Sequence, residues 1–177
     1  MKYFKFWNDY DGPVDAGFTY VESNDGWPIR QITACADKYI GSNVRNAPNG
    51  LILGDQKMDD DKIESIDEIV WIEHKEFEAV WEAHLNARMK IWNVVKERFP
   101  IGIVAEGAIE VFYPQGVIVD LGNEALAVAD YNLCKASTRP ENMYPKHKVT
   151  ATVSGYDERN QWIILESPKV HATLVSS

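Results

Sequence analysis

Short runs of apolar residues, bounded by polar and turn residues, fill the C-terminal part of the chain. Residues 101–167 contain five such runs, and turn residues separate them at Pro114-Gln115-Gly116, at Gly122-Asn123 and at 157–160. Short apolar runs bounded by turn signals are typical of buried strands, and tight turns join such strands into small antiparallel sheets. The pattern predicts five short strands that close into a small β-barrel.

Strands are also expected in residues 1–40. The segments Lys2–Trp7, Gly17–Glu22 and Pro28–Ala36 are rich in aromatic and β-branched residues. The last two are separated by Ser23-Asn24-Asp25-Gly26, which has the composition of a hairpin turn. These features predict an antiparallel sheet, which a loop rich in glycine, asparagine, proline and aspartate follows over residues 41–62.

Helical periodicity is clearest over residues 74–98, where apolar side chains recur at spacings of three and four and charged residues fill the opposite face. One continuous helix of this length spans roughly 37 Å at about 1.5 Å per residue. Pro100 ends it, because proline lacks the amide hydrogen that a helix needs. A shorter helix is expected over Lys62–Val70, with an aspartate of Asp59-Asp60-Asp61 as its cap.

These elements predict an α+β fold in two domains. Residues 1–99 are expected to form a small domain, in which an N-terminal antiparallel sheet is followed by the long helix. Residues 100–170 are expected to form the C-terminal five-stranded barrel. The boundary is expected near Pro100, where the helical pattern stops and the strand pattern begins.

Composition places the chain among ordinary globular proteins, since its 177 residues are 45% hydrophobic and 25% charged. No apolar run reaches the roughly 18 residues that a membrane-spanning helix requires. The N-terminus lacks the apolar core of a signal peptide, so we expect a cytoplasmic protein with no membrane partner. Cys35 and Cys134 lie far apart and in no metal-like spacing, which favours two reduced thiols.

The net charge of −9 argues against tight, non-specific binding to nucleic acid, because phosphate contacts need Lys and Arg to displace counterions. Residues 1–99 hold 12 basic and 18 acidic side chains, and residues 100–177 hold 6 and 9. Neither predicted domain is therefore basic as a whole.

No pattern of a catalytic, metal or cofactor site stands out in the sequence. His74 and His84 are ten residues apart, so they do not form the paired ligands of a zinc helix. The glycine-containing segment 50–54 lacks the Lys-Ser/Thr that a phosphate-binding loop requires. Glu78 and Glu82 are expected on a solvated helix surface. We predict a protein that is not an enzyme, with no catalytic residue, metal or cofactor.

The barrel segment resembles the RNA-binding domain that is repeated in ribosomal protein S-one, an oligonucleotide/oligosaccharide-binding (OB) fold of five strands. The resemblance implies an OB-type barrel that contacts RNA, and it covers about 65 residues. The matching features are Gly107 before the strand Ala108–Phe112, Gly116–Leu121, Ala125-Leu126-Ala127 where the family commonly has Gly-Leu-Val, Lys148–Val153, Tyr156-Asp157 and Trp162–Ser167.

Two positions depart from the RNA-binding members of that family. Ile118 and Val128 stand where those members usually have an aromatic residue and a histidine. Neither can replace base stacking, which contributes roughly 1–3 kcal/mol per base. Phe112 and Tyr113 remain as candidate stacking residues. The candidate basic rim consists of Arg139, Lys146, His147 and Lys148, with Lys135 nearby.

The N-terminal half resembles a small bacterial domain family of unassigned function. The resembling segments are Tyr3-Phe4-Lys5, Gly26–Ile32 and Glu73–Trp81. This resemblance covers about 85 residues and implies no activity and no catalytic residues.

Two functions remain open from the sequence, and both belong to a non-enzymatic binding protein. The first is binding of RNA or single-stranded nucleic acid through the second and third strands of the OB-type barrel. The alternative is a protein-binding module, such as a bacterial immunity protein that neutralises a toxin, since an acidic protein is steered electrostatically to a basic partner. A scaffold that forms a homo-oligomer is a third option, and the oligomeric state is open.

Overall fold

The computed structural model describes residues 1–9, 16–46, 50–66 and 68–175. The chain divides into two compact units, Met1–Ala87 and Arg88–Ser177. The first unit holds an antiparallel sheet and the second a closed five-stranded barrel, which confirms these two components of the predicted α+β fold. The division lies between Ala87 and Arg88, upstream of the boundary that the sequence predicts near Pro100.

The first unit is built on five strands, which are β1 (Lys2–Asn8), β2 (Gly17–Asn24), β3 (Trp27–Ala34), β4 (Tyr39–Gly41) and β5 (Val70–Trp71). Their order in the sheet is β4-β3-β2-β1-β5, and all neighbours are antiparallel. Asp25 and Gly26 join β2 to β3 with φ of 48° and 79°, as the favoured two-residue hairpin turn requires. The predicted hairpin is therefore confirmed.

One face of the sheet packs against a short helix, α1 (Asp60–Glu64). Its Ile63 is buried in a cluster with Phe4 of β1. Asp59 stands at the N-cap position as predicted, although its side chain makes no capping hydrogen bond. The helix expected over Lys62–Val70 thus begins earlier and is shorter, because the end of that segment pairs with β1 as β5.

The predicted single long helix is wrong, because the helical segment is divided at Arg88. Its two parts are α2 (His74–Ala87) and α3 (Met89–Arg98). Arg88 has φ −101° and ψ 2°, outside the α-helical region. The physical reason is that the apolar stripe serves two cores. Trp81 of α2 is buried in the first unit, whereas Trp92 of α3 is buried in the core of the barrel unit.

The barrel consists of β6 (Val104–Tyr113), β7 (Gly116–Gly122), β8 (Ala125–Ala129), β9 (His147–Asp157) and β10 (Trp162–Leu174). The closed order is β10-β8-β7-β6-β9. β10 runs parallel to β8, and the other neighbours are antiparallel. A helix, α4 (Tyr131–Ala136), and a 3-10 turn, Pro140–Asn142, connect β8 to β9.

Small side chains fill the barrel, as the narrow interior of a five-stranded barrel demands. The buried cluster is dominated by alanine and valine from all five strands, such as Ala127, Ala151 and Val119. The predicted corners are present: residues 114–115 and 123–124 are turns, and the third turn covers 158–161. At the first corner Gly116 has φ 144°, and an added Cβ would lie 2.4 Å from the Ala129 carbonyl oxygen. Only glycine fits there.

Cys134 of α4 gives a pH-dependent test of this core. Neither Cys134 nor Cys35 forms a disulfide. Burial, with a smaller contribution from Asp130, raises the pKa of the Cys134 thiol from 9.0 to about 11. The Cys134 thiol ionises at lower pH in the unfolded chain than in the folded protein. Its contribution to the free energy of unfolding is therefore complete below pH 9, and about 2 kcal/mol is lost as the pH rises to about 11. Urea unfolding across this range should show the loss, and Cys134→Ala should lack it. An equal loss of stability with rising pH in both proteins would contradict this prediction.

Candidate nucleic-acid interface

Phe112 lies at the C-terminal end of β6 and is partly exposed. Its ring meets the ring of Tyr131 on α4 edge to face, with centroids 6.0 Å apart and planes at 79°. Tyr131 is also exposed. The two rings therefore form an accessible aromatic pair at one end of the barrel. The sequence singled out Phe112 but not Tyr131, because their proximity depends on how α4 follows β8.

Tyr113 points to the other side of the barrel wall, since successive side chains of a strand alternate. It pairs with Gly116 across the corner. Its ring contacts the ring of Trp162 on β10, with centroids 6.2 Å apart. Burial, with the nearby charge of Glu110, raises the pKa of the Tyr113 hydroxyl. Tyr113 is thus packed against the protein rather than presented to a base.

The Tyr113–Trp162 contact reaches across the outer face of β7 and β8. β9 pairs with β6 over Val104–Ala108, so it does not reach Tyr113 at the other end of β6. The contact from Tyr113 on β6 to Trp162 on β10 therefore crosses β7 and β8, the second and third strands of the barrel. On that face Ile118 is 0% exposed and Leu126 is also buried. The outer face of β7 and β8, through which nucleic acid was predicted to bind, is therefore mostly covered in this structure.

The candidate basic residues do not form one cluster of available charges. Lys148 donates to Glu106 at 2.9 Å. His147 Nδ1 lies 2.9 Å from the His171 carbonyl oxygen. Arg139 is exposed and lies 3.9 Å from Glu141. Lys146 is exposed and forms no ion pair within the part of the chain that the structure describes.

Lys146 lies beside the strand that carries Phe112. Its backbone amide donates to the Ile109 carbonyl oxygen at 2.7 Å. Ile109 precedes Phe112 by three residues, which corresponds to about 10 Å along a strand. Tyr144, which is 62% exposed, precedes Lys146 by two residues. Phe112, Tyr131, Tyr144 and Lys146 together make up what we call the barrel-end surface.

Arg139 borders a separate open pocket of about 530 Å³ near the 3-10 turn. Ser137, Thr138, Glu141 and Asn142 also line it. The Asn142 side-chain amide donates to Thr138 Oγ1 at 2.9 Å, so part of the polar lining is already satisfied. With one cation and one carboxylate at its rim, the pocket has no strong preference for an anion.

The sequence missed a buried ion cluster in the first unit. Arg30 is 2% exposed, and its Nε donates to Glu22 at 2.5 Å. It also forms an ion pair with Glu78. Glu78 is therefore 21% exposed rather than fully solvated, because Arg30 of β3 reaches α2, whereas Glu82 is exposed as predicted. Burial lowers the pKa of Arg30, but the hydrogen bonds that its guanidinium donates to both carboxylates outweigh this effect, and the pKa is raised.

Aromatic rings complete this cluster. The guanidinium of Arg30 lies 4.7 Å from the ring centroid of Phe77 and 5.0 Å from that of Trp81. The Tyr3 hydroxyl donates to Glu22 at 3.0 Å. A signal was present in the sequence, since Glu22 and Arg30 face each other across the predicted hairpin. The cluster is buried on the sheet and serves the packing of α2.

Histidines in the described ranges do not gather into a metal site. His84 is buried, and its Nε2 lies 2.9 Å from Asn43 Oδ1. His74 is exposed and lies 3.0 Å from Glu78. Among residues 1–9, 16–46, 50–66 and 68–175, no three His, Cys, Asp or Glu side chains are grouped as metal ligands.

The division into units also sorts the charges. By sequence, Met1–Ala87 holds 8 basic and 17 acidic side chains, whereas Arg88–Ser177 holds 10 of each. The net charge of −9 therefore belongs to the first unit, and the barrel unit is neutral. With the boundary predicted near Pro100, the cations of Arg88–Arg98 are counted with the first domain, although they belong to the barrel unit. The difference in charge between the two units is then not visible.

No protein-family model, no curated protein and no solved structure matches the chain. The two resemblances, to the ribosomal S-one domain and to the small bacterial family, therefore stay predictions. In the described part of the chain, no helix is long and apolar enough to cross a bilayer.

Proposed function

We propose that the barrel is an OB-type module that binds RNA or single-stranded nucleic acid. The observation that carries this proposal is the strand order. β6, β7 and β8 follow one another, β9 returns to β6, and β10 closes the barrel by parallel pairing with β8. OB folds are five-stranded Greek-key barrels, and oligonucleotides are prominent among their ligands.

The barrel-end surface is the contact that the geometry favours for this ligand. The outer face of β7 and β8 is mostly buried, so bases need another aromatic surface. Phe112, Tyr131 and Tyr144 are exposed there, and aromatic rings stack on any base. Lys146 adds a cation for the phosphate backbone. An exposed lysine on a barrel unit without net charge fits weak to moderate binding rather than tight binding.

Phe112→Ala and Lys146→Glu are expected to weaken oligonucleotide binding. Loss of one stacked base costs roughly 1–3 kcal/mol, so Phe112→Ala should lower the affinity at least about fivefold. Lys146→Glu should also make the affinity less dependent on salt, since a phosphate contact is lost. Fluorescence anisotropy with labelled 12-nucleotide RNA and DNA, over a series of salt concentrations, measures both effects.

Two variants of α3 control for these changes. Lys90→Glu makes the same charge change at another exposed lysine, and Val94→Ala truncates another exposed apolar side chain. Both should bind like the wild-type chain. The proposed site fails if Phe112→Ala and Lys146→Glu leave the affinity unchanged while the wild-type chain binds the oligonucleotides.

A protein-binding module is a second candidate function, for example a protein that neutralises a basic toxin in the same cell. The observation that favours it is the concentration of the whole net charge of −9 in Met1–Ala87. Such a surface attracts a basic protein and speeds its association at low salt. It repels the phosphates of nucleic acid.

Affinity capture from the host lysate, with and without ribonuclease, separates the two candidates. Retention of RNA, or of proteins that ribonuclease removes, supports the barrel as the functional part. Retention of one basic protein that resists ribonuclease supports the second candidate. A toxin reading frame beside the gene would support it independently.

A further inference from the structure

Three exposed aromatic rings lie in a row across one end of the N-terminal sheet. Trp7 of β1 pairs with Phe18 of β2, Phe18 pairs with Ala34 of β3, and Ala34 pairs with Tyr39 of β4. Directly paired residues of neighbouring strands point to the same face. Trp7 is 43% exposed and Phe18 and Tyr39 are each 39% exposed. We call Trp7, Phe18 and Tyr39, together with Ala34 between the last two, the aromatic row.

The aromatic row stays partly exposed, whereas α2 covers the rest of the same face. Tyr20 and Ile32, one alternation further along β2 and β3, belong to the core cluster under α2. Lys5 of β1 forms an ion pair with Glu76 of α2 at 2.5 Å. Contiguous exposed apolar surface of this kind marks interaction sites more often than isolated exposed side chains do.

Ring contacts and strand spacing set the positions of the three rings. Trp7 and Phe18 meet edge to face, with centroids 5.0 Å apart and planes at 78°. Phe18 and Tyr39 stand two strands apart, about 10 Å. Ala34 between them has the smallest side chain of the row, and the ring of Tyr39 also meets the ring of His84 on α2, with centroids 6.2 Å apart.

The electrostatics of the row favour a cation. Aromatic faces attract Lys and Arg side chains, and Lys5 Nζ already lies 5.4 Å from the ring centroid of Phe18. Asp9 and Asp37 are exposed at this end of the sheet, with Lys38 beside Asp37. The unit that carries the row has a net charge of −9. A second copy of the chain and a nucleic acid are both repelled by that charge.

We infer that the aromatic row binds an Arg- or Lys-rich segment of a protein partner through cation–π contacts. This inference rests on the second candidate function and names the site and the chemistry of the partner. Arginine is the better fit, because its planar guanidinium stacks on aromatic faces. The protein already uses this contact internally, where Arg30 stacks on Phe77 and Trp81.

The test uses the full chain and a fluorescein-labelled peptide of six Arg-Gly repeats. Trp7→Leu keeps an apolar side chain but removes the ring, and it should lower the peptide affinity about fivefold to thirtyfold. Trp7→Phe keeps a ring and should recover most of the affinity. Tyr39→Leu should weaken binding as well. A peptide of six Glu-Gly repeats should not bind.

Trp27→Leu is the matched control. Trp27 is 44% exposed and lies at the opposite end of β3, beside the hairpin turn. It should bind the Arg-Gly peptide within about twofold of the wild-type chain, because its ring is outside the row. Thermal unfolding of each variant shows that a loss of binding is not a loss of fold.

Several outcomes overturn the inference. One is an unchanged affinity in Trp7→Leu, and another is an equal loss in Trp27→Leu. A third is binding of a 12-nucleotide DNA in place of the peptide, with loss in Trp7→Leu, which would assign the row to nucleic acid. A fourth is a change from dimer to monomer in Trp7→Leu by sedimentation, which would assign the row to a second copy.

The inference and the second candidate function fail in different ways. If the host lysate yields a basic protein that resists ribonuclease, and Trp7→Leu captures it as well as the wild-type chain, only the aromatic row is wrong. If no such protein is captured and the Arg-Gly peptide does not bind, both are wrong.

Discussion

Replacement of Arg30 by methionine is expected to lower the free energy of unfolding by about 3–5 kcal/mol. The side chain is 2% exposed, and the carboxylate of its partner Glu22 is 0% exposed. Without the guanidinium, Glu22 remains buried as a charge that has lost this cation, and its desolvation is no longer offset. The stacking of Arg30 on Phe77 and Trp81 is lost as well. Urea unfolding followed by tryptophan fluorescence measures the change.

Lys2→Met is the control for this prediction. Lys2 and Asp60 form an ion pair at 2.5 Å, but both side chains are more than half exposed. Exposed pairs contribute at most about 1 kcal/mol. If Arg30→Met costs no more than Lys2→Met, the buried cluster does not stabilise the first unit as we expect.

A double replacement separates the lost charge pair from the lost packing. Glu22→Gln in the Arg30→Met background removes the buried charge while keeping the shape of the side chain. The double variant should be more stable than Arg30→Met alone, because the remaining group is neutral and less costly to bury. A double variant that is less stable than Arg30→Met would show that the charge of Glu22 is satisfied without Arg30.

The strands and corners of this protein could be predicted from the sequence because they depend on local patterns. Alternation over β9 follows from burial on one side of the barrel wall, and the apolar runs of β7 and β8 follow from burial on both sides. The corner at Gly116 follows from a backbone conformation that only glycine tolerates. The hairpin at Asp25-Gly26 is equally local. The fold class could therefore be predicted from strands and turns, which depend on residues that are close together in the sequence.

Long-range features could not be predicted in the same way. The helical period runs through Arg88 without interruption, so no local pattern marks the division between α2 and α3 there. Only the positions of the two cores reveal that Trp81 and Trp92 are buried in different units. The pairing of Arg30 with Glu78 likewise depends on where α2 crosses the sheet.

The candidate site was predicted only in part for the same reason. The sequence identifies Phe112 and Tyr113 as neighbours with equal prospects. Alternation along β6 then separates them, so that Phe112 reaches the exposed barrel end and Tyr113 packs on Trp162. The partner of each ring comes from a distant element, and no local pattern specifies it. Lys148 is likewise engaged by Glu106 of the neighbouring strand.

Replacement of Trp162 by alanine is expected to destabilise the barrel by about 3–5 kcal/mol. Trp162 is among the largest fully buried side chains, and its ring lies over the outer face of β7 and β8 with that of Tyr113. Truncation leaves a cavity and uncovers Ile118, which is otherwise fully buried. Urea unfolding should show the loss, and the folded variant should bind an apolar fluorescent dye more strongly.

Trp27→Ala, at an exposed position, should change stability by no more than about 0.5 kcal/mol. A double-mutant cycle with Tyr113→Ala should give a coupling of about 0.5–1.5 kcal/mol, because the two rings contact each other. Strictly additive losses would contradict their joint role in covering this face.

Oligonucleotide binding by Trp162→Ala then tests the location of the proposed site. Tighter binding would mean that the outer face of β7 and β8 binds nucleic acid once it is uncovered. Unchanged binding that Phe112→Ala still weakens would keep the site at the barrel end.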